Sequence, residues 1–142
     1  MNVYEFDAYM NKIKHISNKN LIQIYKDLDI SRFEFKLLMT LYYSDELLTA
    51  SILASLFDVT VAAVMHRMQV LEDKNLVRKE VSKEDQRIKY YYLTDEAYRI
   101  CTEKAIMIEK KTTKFLESLG DDVYVLEGIL VKIINYMEER KW

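Results

Sequence analysis

The apolar residues of this chain change their spacing at Asn75, and this change constrains the fold more than any other sequence feature. Before Asn75 they recur at intervals of three and four residues, the period of an amphipathic helix. After it, Val77–Val81 and Ile88–Leu93 are rich in β-branched and aromatic residues, and the polar stretch Ser82–Arg87 separates them. The pattern therefore predicts helices followed by a β-hairpin with a charged tip.

Two short helical patterns lie directly before the hairpin. Thr49 can cap a helix that runs to Leu56, and Thr60 can cap a second helix that ends near Lys74. Asn75 follows, and asparagine tolerates the left-handed backbone conformation that closes a helix. Two helices joined by about three residues are typical of a helix-turn-helix, and the hairpin after them predicts a winged helix.

Longer helical patterns lie on both sides of these elements. They cover Tyr4–Leu28 with a candidate break at Ser17–Asn20, the segment from the Ser31–Glu34 capping box to Ser44, Thr94–Leu119 and Asp122–Glu139. The chain has no proline and only two glycines, which favours a mainly α fold of about six helices plus the hairpin wing. We expect one domain over residues 1–142, with a winged helix core at 31–93.

Composition excludes several kinds of site. A single cysteine, Cys101, cannot form an intrachain disulfide or a paired-cysteine zinc site. The two histidines, His15 and His66, lack metal-ligand spacing, and no residue marks either as a catalytic base. Two glycines cannot supply a nucleotide-binding loop. We therefore expect no enzymatic activity, no catalytic residue, no metal and no cofactor.

Charge and hydropathy bear on the compartment and the partner. The N-terminal sequence lacks the apolar region of a signal peptide, and no run of about 18 apolar residues could span a membrane. With one cysteine, these features predict a cytoplasmic protein without a membrane partner. The net charge is −2, but residues 60–92 hold seven Lys/Arg against five Asp/Glu and form the only net-basic stretch.

The winged helix segment resembles the MarR family of bacterial transcription regulators, including its SarA-like members. The most specific part of the resemblance is Asp85-Gln86-Arg87 in the predicted wing, followed by a strand and Leu93-Thr94. The junction between helix and wing at Leu71–Val77 is also similar. Residues 30–98 carry the resemblance, whereas the terminal helices match in length and placement only.

This resemblance implies a homodimer that binds a pseudo-palindromic operator in double-stranded DNA and regulates transcription. It places the helix at Thr60–Lys74 in the major groove and the wing at the flanking minor groove. It builds the dimer interface from the terminal segments 1–30 and 94–142. The long apolar stripes of these segments agree with a dimer, because a small winged helix cannot cover them alone.

The candidate DNA contacts fall into two sets. The recognition helix would contribute Thr60, Ala62, Ala63, Met65, His66, Arg67 and Gln69, and the wing Lys83, Asp85, Arg87 and Lys89. Arg87 is the best-placed wing cation and Asp85 can orient it, although an ordinary solvated ion pair is the alternative. Gln69 and Arg67 can pair with base edges, unless Arg67 faces back toward the hairpin or a partner helix.

Two features depart from the family pattern. The outward face of the recognition helix offers few side chains that can read a base through two hydrogen bonds, where family members carry Ser/Thr and Arg. Asn75 also stands where the family usually has glycine. These departures put the operator sequence in question. A winged helix that binds another protein, without specific DNA binding, is the alternative function.

Family members also have an effector cleft between the terminal helices and the winged helix. Four tyrosines are candidates to line it for a small-molecule effector, Tyr9, Tyr25, Tyr42 and Tyr43. The alternative is that these rings serve as core or interface residues. Cys101 lies in the apolar stripe of its helix, so we expect a buried thiol without a redox role.

Overall fold

The computed structural model describes residues 1–140. The described chain contains six α-helices, one 3-10 turn and two strands. They are α1 (Val3–Tyr25), the 3-10 turn (Lys26–Leu28), α2 (Arg32–Tyr43), α3 (Ala50–Phe57), α4 (Val61–Asp73), β1 (Val77–Val81), β2 (Lys89–Leu93), α5 (Asp95–Ser118) and α6 (Asp122–Arg140). The predicted mainly helical winged helix is confirmed. The last two residues of the predicted dimerisation segment 94–142 lie outside the described residues.

Helix starts follow the capping residues seen in the sequence. The Ser31 hydroxyl accepts a hydrogen bond from the Glu34 backbone N–H at 3.2 Å, and the Glu34 carboxylate accepts one from the Ser31 N–H at 2.8 Å. Thr49 and Thr60 accept hydrogen bonds from Ile52 and Ala63 in the same way. Each cap satisfies a backbone donor that the first helical turn leaves unpaired, so the predicted boundaries are confirmed.

The candidate break in the first helix is wrong. α1 continues through Ser17–Asn20, and the chain turns only at Lys26–Leu28 and at Asp29, whose φ is 50°. The physical reason is that Ser17–Asn20 contains neither proline nor glycine. Serine and asparagine side chains on the outside of a helix lower its propensity by a few tenths of a kcal/mol, which does not stop a helix of this length.

The chain divides into two compact units, Met1–Ala105 and the residues from Ile106 onward. The further division into a winged helix core at 31–93 and dimerisation segments stays a prediction. The core of the first unit collects apolar side chains from α2, α3, α4, the hairpin and the start of α5. Its largest fully buried side chains are Leu37, Leu38, Leu53, Val64, Met68, Leu71 and Cys101.

The hairpin is joined to the rest of the first unit at its base. β1 and β2 are antiparallel, with Val77 opposite Leu93 and Val81 opposite Lys89. The backbone N–H of Tyr91 donates to the carbonyl of Leu48 at 3.0 Å, which adds a short bridge on the other side of β2. Tyr91 is buried, as alternation along a strand requires, and this anchor leaves the hairpin tip projecting.

The second unit consists of the end of α5, a turn at Gly120 and α6. Gly120 has a φ of 55°, the left-handed conformation that closes a helix at low cost only in glycine. None of the residues 106–139 is buried in the single chain. The predicted apolar stripe of α6 is therefore present in the sequence, but Ile129, Ile133 and Met137 remain exposed.

The described residues carry neither a membrane-spanning helix nor a metal cluster. Among residues 1–140 no single helix is long and apolar enough to cross a membrane; α3 and α4 meet that test only when taken together across a sharp bend. In the same part of the chain, no three His, Cys, Asp or Glu side chains lie close enough together to hold a metal ion.

Candidate nucleic-acid interface

The turn between α3 and α4 sets the direction of the second helix. Asp58 takes the left-handed conformation with φ 52°, and the N–H of Val59 donates to the carbonyl of Ala54 at 3.0 Å. Thr60 then caps α4. The helix axes change direction by 113° across this break, within the range that helix-turn-helix motifs show.

One face of α4 is buried and the opposite face is open to solvent. Val64, Met68 and Leu71 lie in the core of the first unit. The helical period of 3.6 residues places Ala62, Met65, His66 and Gln69 away from them, and all four are exposed. The predicted recognition face therefore exists as an accessible surface.

Arg67 does not belong to that open face. A guanidinium nitrogen donates to a carboxylate oxygen of Glu34 at 3.2 Å, and Glu34 is buried in α2. The other Glu34 oxygen accepts the Ser31 N–H of the capping box. Arg67 thus faces back, toward α2 rather than toward the hairpin. Sequence reasoning missed Glu34 as its partner, because the capping role already explained that glutamate.

The remaining polar groups of the α4 face differ in how they are engaged. The Gln69 amide donates to the Asp73 carboxylate at 2.9 Å along the same helix. The Thr60 hydroxyl caps the helix. The His66 imidazole makes no hydrogen bond or ion pair with any other residue of the described chain. Of the predicted polar base readers, only His66 is presented without a partner among residues 1–140.

The wing tip presents a cation in a fixed orientation. Arg87 is 90% exposed, and two of its guanidinium nitrogens donate to the two Asp85 oxygens at 3.2 Å each. The Arg87 backbone N–H also donates to Asp85 at 3.0 Å. These hydrogen bonds from Arg87 hold the pKa of Asp85 below its usual value. Lys83 and Lys89 are exposed near the same tip.

Other cations of the hairpin are neutralised by nearby acids. Arg78 pairs with Glu80 and lies over the Tyr92 ring, 4.6 Å from its centre. Lys79 pairs with Glu72 of α4 at 3.4 Å. The hairpin lysines without an ion pair among the described residues, Lys83 and Lys89, therefore lie at or next to the tip, beside the Arg87–Asp85 pair.

The four candidate effector tyrosines do not line one cleft. Tyr25 is buried and stacks on Phe35 with ring centres 4.6 Å apart, so it is a core residue. Tyr42 packs against Tyr43 at 5.0 Å. Tyr9 is exposed on α1, about 24 Å from Tyr25 at the rise of a helix. Within one chain these four tyrosines do not converge, and the effector cleft stays a prediction.

A groove beside α2 includes one of these tyrosines. It has a volume of about 560 Å³ and is lined by Lys36, Met39, Thr40, Tyr43, Ser44 and Phe57. Most of its surface is apolar, and Lys36 supplies a positive charge. No periodic pattern could have found it, because Phe57 reaches the groove from a different helix.

The single thiol lies away from any surface. Cys101 is buried in α5, and burial raises the pKa of its thiol to about 11. The expectation of a buried, unactivated cysteine is confirmed.

Comparison with known proteins agrees with this geometry. Residues 30–89 match the family model of MarR. FabT of Streptococcus pneumoniae, solved in complex with DNA, has a TM-score of 0.85 and 17% identity, covering 97% of this chain and 99% of its own. MepR of S. aureus, also with DNA, has a TM-score of 0.77 and 20% identity over 96% and 99% of the two chains. A mutant MarR of E. coli reaches 0.72 at 21% identity over 94% and 97%. No curated protein matches the sequence significantly.

Proposed function

We propose that this chain, whose residues 30–89 match the MarR family model, is a MarR-family, sequence-specific DNA-binding regulator of transcription. The observation that carries the proposal is the exposed Arg87, whose planar cation Asp85 holds at the tip of a wing beside α4. A fixed guanidinium is suited to phosphate or to a narrow minor groove. The protein acts by binding, not by catalysis, in the cytoplasm.

The two structural elements would have different tasks on DNA. α4 enters the major groove, which is wide enough for a helix, and its contacts come from Thr60, Ala62, Ala63, Met65, His66 and Gln69. The wing follows the flanking backbone with Lys83, Arg87 and Lys89, while Asp85 orients Arg87. Arg67 supports α4 from behind through Glu34 and does not read a base.

We propose that the functional form is a homodimer. Apolar side chains along α1 and α6 are exposed in the single chain, among them Phe6, Met10, Ile13, Ile129, Leu130 and Ile134. Faces of this kind rarely remain uncovered in a soluble protein. A second copy would cover them through the terminal segments 1–30 and 94–142. Two-fold symmetry would then match a pseudo-palindromic operator.

A small-molecule effector would bind in the groove lined by Tyr43 and Lys36. Met39 and Phe57 provide an apolar wall, and the Lys36 ammonium would attract an anionic group. An apolar anion is therefore the class of effector we propose. Lys36→Ala should weaken its binding and leave DNA affinity without effector unchanged.

A salt titration tests the DNA-binding proposal. The protein is first offered a pool of random-sequence duplexes, and the tightest-binding duplex is recovered. Its affinity is then measured against salt concentration, beside that of a scrambled duplex. A specific regulator prefers the selected duplex and loses affinity as salt rises. Weak binding that ignores both sequence and salt would favour the protein-interaction module instead.

A further inference from the structure

The two α4 side chains that could read a base through paired hydrogen bonds are each bonded to an acid of this chain. Arg67 is held by Glu34, and the donor group of Gln69 is held by Asp73. A base would compete with these acid partners for the orientation of the two side chains. Apolar contact is the other source of sequence information that this face offers.

Beside His66 and Gln69, this face presents apolar side chains. Ala62 and Ala63 are exposed in the first turn, and Met65 is 52% exposed one turn further along. The alanines are small enough to allow the helix backbone close to its target. Methionine is flexible and adapts its shape to an apolar surface.

We propose that α4 reads thymine through its C5 methyl group, by apolar contact with Ala62, Ala63 and Met65. This inference rests on the proposed function and names the feature of the operator that α4 recognises. Thymine is the only base with a methyl group in the major groove, and apolar side chains distinguish it there. Operator half-sites are therefore thymine-rich under the first turns of α4.

Charge on the same surface indicates which end of α4 enters the groove. The N-terminus carries the partial positive charge of the helix dipole, and Asp73 places a carboxylate at the exposed C-terminal end. Phosphates favour the first end, whereas at the second end Asp73 stands beside Lys74 and the two charges offset each other. The cations at the wing tip add to this attraction, so nucleic acid suits this apolar face better than an apolar protein partner.

The test replaces thymine by deoxyuridine, which removes only the C5 methyl group. The duplex recovered by selection from the random pool is made in both forms, and the protein's affinity for each is measured at fixed salt. We expect the uracil form to bind about fourfold more weakly for each methyl group that α4 covers, the ratio for burial of one such group. Met65→Ala and Ala62→Ser should each reduce this ratio, whereas Met65→Leu should largely retain it.

The wing provides a matched control, because minor-groove and phosphate contacts do not touch the methyl group. Arg87→Ala should weaken binding to both duplexes and leave their ratio unchanged. Equal binding of the thymine and uracil duplexes would overturn this inference alone. The inference would also be overturned if the ratio of thymine-duplex to uracil-duplex affinity kept its wild-type value in both Met65→Ala and Ala62→Ser. The missing methyl group would then weaken binding by changing the duplex itself, not by losing contact with α4. Failure to bind any duplex specifically would instead remove the proposed function.

Discussion

The guanidinium of Arg67 in α4 donates a 3.2 Å hydrogen bond to the buried carboxylate of Glu34, 33 residues earlier in α2. The same carboxylate accepts the Ser31 N–H that starts α2. One acidic side chain therefore fixes both the beginning of a core helix and the rotation of the helix proposed to enter DNA. Arg67 was predicted as a DNA contact, and from this bond we expect it to support the helix instead.

Glu34→Ala and Arg67→Ala should both destabilise the fold. Removing Glu34 breaks two hydrogen bonds to a charged group, which we expect to cost about 1.5–3 kcal/mol in the free energy of unfolding. Arg67→Ala leaves the buried Glu34 carboxylate with only the Ser31 N–H as a partner, so it should also cost about 1–3 kcal/mol. Urea unfolding measures both, with the exposed Arg32→Ala as control.

The same variants separate a supporting role from direct binding of a phosphate. Arg67→Ala should weaken specific DNA binding while the slope of log affinity against log salt stays constant. A slope that falls by about one unit would instead show that Arg67 binds a phosphate.

Arg87→Ala should weaken specific and non-specific DNA binding together. The salt slope should fall by about one unit for each phosphate that the variant no longer neutralises. Arg87→Lys should restore the charge without the planar fork and rescue binding only in part. Thermal unfolding should hardly change in either variant, because the side chain lies in solvent. Unchanged affinity and slope in Arg87→Ala would show that the wing does not touch DNA.

Ile134→Asp should dissociate the proposed homodimer. The side chain is exposed in the single chain, so a carboxylate there costs nothing unless a partner buries it. Burial of an unpaired charge in an interface costs several kcal/mol. Sedimentation should give a dimer for the wild type and a monomer for the variant. Asn135→Asp is the matched control, because it adds the same acid outside the apolar stripe and should remain dimeric.

Asp27→Ala should destabilise the protein more than Lys104→Met. Lys104 is buried and donates two 2.9 Å hydrogen bonds to the exposed Asp27 carboxylate. Loss of Asp27 leaves a buried ammonium unpaired, at about 1–3 kcal/mol. Methionine in place of Lys104 leaves only a solvated carboxylate, and the change should be close to neutral. Equal losses of stability in urea would contradict this asymmetry.

The Asp27 contribution also depends on pH. The hydrogen bond from Lys104 lowers the pKa of Asp27 in the folded protein. A depressed folded pKa means that this stabilisation is present above the unfolded pKa of aspartate and is lost as pH falls through the folded pKa. The stability difference between wild type and Asp27→Ala should therefore be constant at neutral pH and shrink in acid. Urea unfolding at a series of pH values measures it.

Cys101 should resist oxidation in the folded protein. Burial raises the pKa of its thiol to about 11, so little thiolate forms at neutral pH. Mild peroxide should leave DNA affinity unchanged, and a thiol reagent should react only once denaturant exposes the residue. A loss of binding that reductant reverses, and that Cys101→Ser abolishes, would contradict this.

Local sequence determined where the elements of this protein begin and end. Ser31, Thr49 and Thr60 each cap a helix through a backbone group three residues away, and Asn75 closes α4 with a φ of 57°. These interactions span at most a few residues, so both partners of each interaction can be identified from the local sequence. The hairpin followed in the same way from the alternation of its side chains.

Tertiary structure alone decided which side chains are available to a partner. Arg67 turns to Glu34 across 33 residues, and Lys104 reaches Asp27 across 77. Periodicity gives the face of a helix but not what packs against it, so Tyr25 could equally have lined a cleft or, as it does, stacked in the core. The apolar stripe of α6 could be predicted from the sequence, but its exposure is seen only in the folded chain. Burial depends on neighbours that are distant in the sequence or that belong to another molecule.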